Sequence, residues 1–137
     1  MAYELIDHTA DIGIRVTGKT VNDLFETAAH AMFEQITDTS KLSGANTKDS
    51  HVKGIDRPDL LINWLREVLW CWTIDNCLVS QVVINDMNND HLTAKLFYDD
   101  FDPQTHELLK DIKAVTYHGI SVEQANNGWM ATIIFDV

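Results

Sequence analysis

Residues able to take part in metal or acid–base chemistry lie at both ends of the chain. Asp7, His8 and Asp11 are close together near the start, and Asp136 is the penultimate residue. Two carboxylates with a nearby backbone oxygen suit a hard divalent cation such as Mg²⁺ or Ca²⁺. Such a site requires the last strand to pair beside the first two, because only then do Asp11 and Asp136 meet.

The same residues also have simpler interpretations. An aspartate in a turn commonly caps backbone N–H groups, and a penultimate aspartate is usually solvated. His8 is either a general base or a partner of a metal ligand, or else a turn histidine bonded to the backbone. His118 falls within a predicted strand and is interpreted as structural. These residue types alone leave both interpretations of the first site open.

Other patterns add little chemistry. The acidic run from Asp99 to Asp102 lacks the following glycine and distal glutamate of an EF-hand, so we interpret it as a solvated loop or helix start. Cys71 and Cys77 match no zinc or redox spacing and are interpreted as buried, incidental thiols. The sequence has no GxxxxGK[ST] loop, GxGxxG, GxSxG or HExxH motif, which argues against a free-standing enzyme that uses nucleoside triphosphates.

Length and hydropathy suit a small globular protein. With 137 residues, of which 45% are hydrophobic, we expect a single domain over residues 1–137. No apolar run reaches the roughly 20 residues of a membrane span. The N-terminal residues lack the basic and apolar regions of a signal peptide, so we expect a cytoplasmic protein with no membrane partner.

The charge balance is strongly acidic. The chain has 10 Lys and Arg residues against 21 Asp and Glu residues, a net charge of −11. Affinity for nucleic acids is built from basic side chains that neutralise phosphates. The sequence shows no basic cluster that would override this average. We therefore predict no tight, direct binding of nucleic acid, and any role in RNA metabolism would act through another protein.

Hydrophobic periodicity indicates the elements that would position these residues. Alternation predicts strands, and spacing of three to four predicts helices over residues 21–36 and from Pro58 onward. A short edge strand over residues 46–53 and a short helix over residues 103–111 complete the prediction. The predicted strands cover residues 3–7, 12–17, 79–85, 91–98, 112–122 and 129–137, with a turn at Asn126-Asn127-Gly128 between the last two.

The order of elements predicts an α+β fold, with helices packed on a mainly antiparallel sheet. The second helix is apolar over most of its circumference and carries Trp64, Trp70 and Trp72. We interpret it as the central buried helix, with the tryptophans packed in the core. A groove for a partner is the alternative interpretation of these tryptophans.

Three stretches of the sequence together resemble the archease family, over nearly the whole chain. The first contains the His8-Thr9-Ala10-Asp11 element and the helix after it. The second is residues 60–69. The third joins the Lys113-Ala114-Val115-Thr116-Tyr117-His118 element to the ending at residues 129–137.

The resemblance implies an accessory protein rather than an enzyme. Archeases activate the GTP-dependent RNA ligase of tRNA splicing and RNA repair, which joins 3′-phosphate to 5′-hydroxyl ends, by promoting ligase guanylylation and turnover. The metal ligands of the family fall on Asp11, Asp136 and the backbone oxygen of Val137. A lysine implicated in activation falls on Lys113. The cofactor would be Ca²⁺ or Mg²⁺, with Mn²⁺ equally compatible with the ligand types.

Two other functions remain open. One is a small metal-dependent hydrolase that uses Asp11, Asp136 and His8 on a phosphorylated substrate, although no further ligand set completes a two-metal centre. The other is a chaperone-like partner-binding module, in which the tryptophan-bearing helix would be partly exposed.

Overall fold

The computed structural model describes residues 2–8 and 11–137, with the side chains of residues 7 and 8 excluded. Within these residues it contains seven strands, two α-helices and a 3-10 turn over Thr39–Lys41. The strands are β1 (Ala2–His8), β2 (Asp11–Gly18), β3 (Asn46–Lys53), β4 (Cys77–Met87), β5 (His91–Asp100), β6 (Ala114–Ala125) and β7 (Gly128–Asp136). The helices are α1 (Val21–Ile36) and α2 (Arg57–Thr73).

Both helices begin at an oxygen-bearing cap. The Thr20 side chain accepts the N–H of Asp23 at 3.0 Å, and the Asp56 side chain accepts the N–H of Asp59 at 2.9 Å. Each bond satisfies a backbone donor that the first helical turn leaves unpaired. Pro58 lies in the first turn of α2, where its missing N–H costs nothing. The predicted bounds of α1 and the predicted start of α2 are confirmed.

The strands form two antiparallel sheets. The first sheet has the order β1-β2-β7-β6, and the second has the order β3-β5-β4. Helix α1 contacts β2 and β7 of the first sheet and β4 of the second; α2 contacts β6 of the first and β3 and β4 of the second. Since each helix contacts both sheets, the helices form the layer between them. The predicted α+β class with antiparallel pairing is confirmed, and the strands divide into two sheets.

The position of α2 explains its apolar circumference. A helix with sheets on both sides must be apolar on both sides, and residues 60–62, 64, 65, 68, 69 and 71 are all buried. Trp64 is fully buried and donates its indole N–H to the carbonyl of Phe25 on α1 at 2.9 Å. Core packing is thus confirmed for Trp64, whereas Trp70 is 49% exposed. Neither helix among the described residues combines the length and hydropathy needed to cross a bilayer.

The predicted short helix over residues 103–111 is wrong. Its first residues form a turn, in which the N–H of His106 donates to the carbonyl of Asp102. The following residues run beside the end of α1, where Leu108 forms an isolated bridge with Thr37 and the Thr37 hydroxyl donates to the carbonyl of Glu107 at 2.6 Å. These tertiary hydrogen bonds replace the bonds that a helix would supply locally.

The last two strands form a tight hairpin. Strand β6 begins at Ala114, two residues later than predicted, and the turn consists of Asn126 and Asn127. Both asparagines have positive φ, 44° and 68° respectively, as a two-residue turn between right-twisted strands requires. The predicted turn is confirmed, and this hairpin places the chain end inside the first sheet, between β2 and β6.

Candidate functional site

The first sheet brings Asp11 and Asp136 together. Asp11 opens β2 and Asp136 closes β7, and the two residues are direct partners in the antiparallel register. Side chains of directly opposed residues project from the same face, with Cβ atoms roughly 4.5–5.5 Å apart. The pairing on which the predicted carboxylate site depended therefore exists.

The two carboxylates lie on the face of the sheet that points away from the helices. Side chains alternate along a strand, and the neighbours Ile14 on β2 and Phe135 on β7 are completely buried against the helical layer. Asp11 and Asp136 occupy the alternate positions of these strands, whose side chains point to the opposite face. Asp11 is partly exposed and Asp136 is exposed. Both carboxylates are consequently accessible to a cation from solvent.

Strand β6 holds the backbone of Asp136 from the other side. Ala114 is its register partner, and the N–H of Lys113 donates to the carbonyl of Asp136 at 2.8 Å. Val137 follows directly and is 38% exposed. All the residues to which the family resemblance assigns a role in activation or as metal ligands thus lie on, or directly next to, three neighbouring strands at one end of the sheet.

His8 lies next to this pair along the backbone. Asp7 and His8 are the last two residues of β1: Asp7 lies in the strand, as the predicted bounds 3–7 had it, whereas His8 extends the strand into the predicted turn and is the register partner of Asp11. Their side chains fall outside the described parts of the structure. The roles predicted for the His8 imidazole therefore stay predictions.

The donor set fits a hard cation. Two carboxylates and the backbone oxygen of Val137 are oxygen ligands, which Mg²⁺, Ca²⁺ and Mn²⁺ accept. In the described part of the chain, no three or more His, Cys, Asp or Glu side chains cluster around a common point. A metal ion at this site would be coordinated mainly by the Asp11 and Asp136 carboxylates, and water would complete its coordination.

The acidic run has a structural role at the end of β5, where Asp99 and Asp100 are strand residues and not part of the predicted solvated loop or helix start. Burial alone would raise the pKa of Asp99, but its carboxylate accepts the N–H groups of Ser43 and Gly44 at 2.9 and 2.6 Å, and the pKa is held below its ordinary value. The Asp102 carboxylate accepts the N–H of Gln104 and so caps the following turn. The bonds from Ser43 and Gly44 to Asp99 tie the segment between α1 and β3 to the end of β5.

The two thiols are buried and free. Burial raises the pKa of Cys71, and burial together with the nearby Asp100 carboxylate raises the pKa of Cys77 to about 11. A thiol that stays protonated at neutral pH is a poor nucleophile and a poor metal ligand. Their interpretation as incidental buried thiols is supported. His118, in contrast, is exposed on β6, so it is a surface residue rather than a buried one.

Sequence reasoning missed Lys53 and Arg66, and with them the basic group that they form with Lys113. Lys53, Arg66 and Lys113 line a common cavity between β3, α2 and the start of β6. They come from three separate elements, so no local basic run signals them. The only available signal was the position of Lys53 at a strand end and of Arg66 on an otherwise apolar helix.

Comparisons with known proteins agree on one family. A family model described as the archease protein family matches residues 3–137. The protein archease of Sulfurisphaera tokodaii is 37% identical over 136 residues, covering 98% of both chains. The protein archease of Methanosarcina barkeri is 33% identical over 139 residues, covering 98% of this chain and 95% of the relative.

Solved structures share the fold. The solution structure of a Methanobacterium thermoautotrophicum protein superposes with a TM-score of 0.82 at 31% identity, covering 98% of each chain. A crystal structure from Thermotoga maritima, described as an archease and possible chaperone, superposes with a TM-score of 0.63 and covers 96% of this chain and 94% of that one. At 20% identity, the second similarity concerns the fold alone.

Proposed function

Because the chain belongs to the archease family, we propose that it is an accessory protein that activates a GTP-dependent RNA ligase. The partner ligase joins a 3′-phosphate (or 2′,3′-cyclic phosphate) RNA end to a 5′-hydroxyl end in tRNA splicing or RNA repair. The accessory protein promotes guanylylation of the ligase and so permits repeated turnover. This proposal places it in the cytoplasm, without an enzymatic activity of its own.

The observation that carries the proposal is the pairing of Asp11 with Asp136 on an exposed sheet face. These carboxylates, with the backbone oxygen of Val137, would hold a divalent cation at the end of the sheet. Such a cation, when bound, would neutralise and polarise phosphate oxygens. The chain itself supplies a rigid platform, since Asp136 is fixed by backbone bonds to strands on both sides. Lys113, directly before β6, lines a cavity beside α2 on the helix side of the sheet, and its role in activation would be that of a separate point charge for phosphate.

The surface charge supports a protein partner rather than RNA. A net charge of −11 repels phosphate backbones and attracts a basic protein surface. Electrostatic complementarity mainly accelerates association and is screened by salt. Activation should therefore weaken as ionic strength rises, over a range of salt in which the activity of the ligase alone stays constant. Activation that stays constant from low to high salt would exclude charge-guided docking.

The test is a ligation assay under multiple turnover. The reaction contains excess RNA with 3′-phosphate and 5′-hydroxyl ends, limiting cognate ligase, GTP and divalent metal, with and without this protein. We expect the wild type to increase the number of turnovers and Asp136→Ala to abolish the increase. Asp49→Ala is the matched control, because Asp49 is an exposed strand aspartate on the other sheet. Full activation by folded Asp136→Ala would exclude the carboxylate site.

The same preparation tests the hydrolase alternative. The isolated protein is incubated with phosphorylated small molecules and Mg²⁺, and phosphate release is measured. Release that is lost in both Asp11→Ala and Asp136→Ala, together with failure to activate a competent ligase, would favour the hydrolase over the accessory role.

A chaperone-like partner-binding role is a second candidate. Trp70 and Ile74, at the C-terminal end of α2, are 49% and 68% exposed. Large exposed apolar side chains near each other are typical of partner surfaces. Enhanced fluorescence of a hydrophobic dye with the native protein, reduced by Trp70→Gln, would support this candidate. Equal dye fluorescence for both proteins would count against it.

A further inference from the structure

A cavity of about 450 Å³ lies where α2 passes beside β3 and the start of β6. We call it the α2 pocket and define it by its charged and aromatic lining. Its lining includes Lys53 from β3, Arg66, Glu67 and Trp70 from α2, and Lys113 next to β6. His51 also lines it, and its ring packs edge-on against that of His91 on β5, with the ring centres 6.0 Å apart. The pocket thus brings three permanent cations together with one carboxylate.

This charge balance is the reverse of that of the whole chain. Acidic residues outnumber basic ones 21 to 10, yet three of those ten basic residues line one cavity. Like charges repel, and a partly enclosed site strengthens the repulsion. An arrangement of this kind is stabilised when an anion occupies the cavity. The local charge therefore indicates an anionic ligand.

The cations differ in how firmly they are held. The Arg66 guanidinium lies 4.8 Å from the ring centre of Tyr117 and donates to the carbonyl of Val115 at 3.4 Å. Tyr117 is itself fixed, because its hydroxyl donates to the Asp59 carboxylate at 2.7 Å. Arg66 is therefore preorganised, with a planar group suited to bidentate binding of an oxyanion.

The two lysines are available to such a ligand. Among the described side chains, no carboxylate forms a salt bridge with the ammonium group of Lys53 or Lys113. A lysine is a flexible point charge that can move onto an anion as it binds. One fixed guanidinium and two mobile ammonium groups are enough to neutralise a phosphate dianion.

We propose that the α2 pocket binds a small phosphate-bearing ligand of nucleotide size. Three cations exceed the positive charge that a ligand with a single carboxylate would need for neutralisation, which favours a phosphate group. The volume lies within the range of small-molecule sites, roughly 300–1,000 Å³, and is larger than a bare phosphate requires. Trp70, half exposed in the wall, supplies a flat aromatic face on which a base can stack. The net charge of −11 on the whole chain disfavours a long nucleic acid.

This inference goes beyond the proposed function and does not depend on it. The binding is a property of the isolated protein, measured without ligase or RNA. It is also separate from the carboxylate pair, since Asp11 and Asp136 lie on the other face of the first sheet. A chelator in the buffer removes any contribution from a metal bound there. Failure of the pocket and failure of the accessory role are thus distinguishable.

The experiment is an NMR titration of the isotope-labelled protein at low salt with EDTA, in which the backbone amide and tryptophan indole resonances are monitored. The probes are pyrophosphate, GMP, AMP and a short RNA. We expect saturable shifts for residues 51–53, 66 and 113 with pyrophosphate, and an added shift of the Trp70 indole N–H with the two nucleotides. Absence of saturable shifts at these residues would overturn the proposal. Tighter binding of the RNA than of either mononucleotide would overturn the assignment to a small ligand.

Charge variants test the named residues. Lys53→Gln removes an exposed side chain without a salt bridge and should weaken pyrophosphate about tenfold, as expected for loss of one charge-assisted bond. Lys95→Gln, an exposed strand lysine outside the pocket, is the charge-matched control and should leave affinity unchanged. Equal weakening by Lys53→Gln and Lys95→Gln would show that the anion binds elsewhere.

Discussion

Replacing Asp136 by Asn should stabilise the metal-free protein. Asp11 and Asp136 are directly opposed across an antiparallel pair, so two negative charges face each other on an exposed surface. At a separation of about 5 Å and a near-aqueous dielectric constant, Coulomb repulsion is about 0.8 kcal/mol. Measured cross-strand pair effects are similar, about 0.2–1 kcal/mol. For a chain of this length we expect an increase in Tm of about 3 °C in EDTA at low salt.

A divalent cation should reverse this order of stability. A ligand that binds only the folded state stabilises it by RT ln(1 + [L]/Kd), about 2.7 kcal/mol at 100 times Kd. For the wild type this corresponds to an increase in Tm of about 10 °C. Asp136→Asn retains one carboxylate of the pair, so its increase should be a small fraction of that value. The cation that produces the largest shift identifies the metal among Ca²⁺, Mg²⁺ and Mn²⁺.

The assay is thermal unfolding followed by circular dichroism, in EDTA and across a metal series. Asp49→Asn is the control, because it makes the same change in net charge on an exposed strand of the other sheet. The control should respond to metal as the wild type does. Two results would refute the reasoning: metal stabilisation of Asp136→Asn equal to that of the wild type, or lower stability of Asp136→Asn than of the wild type in EDTA.

Three further predictions follow from buried groups. Trp64→Phe removes the indole donor to the Phe25 carbonyl and part of a fully buried ring, so chemical denaturation should show a loss of about 1–3 kcal/mol; an unchanged midpoint would contradict this packing. Because the pKa of Cys77 is raised to about 11, its reaction with a disulfide reagent at pH 8 should be at least about tenfold slower in the folded than in the denatured protein; equal rates would contradict its burial. Asp99→Asn should cost about 1.5–3 kcal/mol at pH 7, because it weakens charge-assisted bonds such as that from the N–H of Gly44. Since the folded-state pKa of Asp99 is lowered, its contribution is present at neutral pH and decreases as pH falls below about 4 towards that pKa, so the difference in Tm between the wild type and Asp99→Asn should shrink over this range.

Local features of the chain could be predicted well from the sequence. The start of α1 follows from Thr20 and the apolar spacing after it, and the last hairpin follows from Asn126 and Asn127. In both cases the determining interactions lie within a few residues of one another. Family membership also followed from short motifs, because each motif is contiguous in the sequence.

The segment at residues 103–111 shows where local reasoning stops. Its composition is compatible with a helical turn, but its backbone groups bond to the end of α1, far away in the sequence. The division of the strands into two sheets has the same origin. A strand's alternation shows that one face is buried, but not which strand pairs with it.

The candidate site combines both kinds of information. The sequence alone determined which residues could bind a cation, since Asp11 and Asp136 carry carboxylates within recognisable motifs, and a third motif contains Lys113, the lysine implicated in activation. Only the tertiary structure decided that β2 and β7 pair in a register that opposes the two carboxylates. It alone also gathered Lys53 and Arg66 with Lys113 around one cavity. The physical reason is that sheet pairing and helix packing are long-range interactions, whose partners are set by the burial of the whole core.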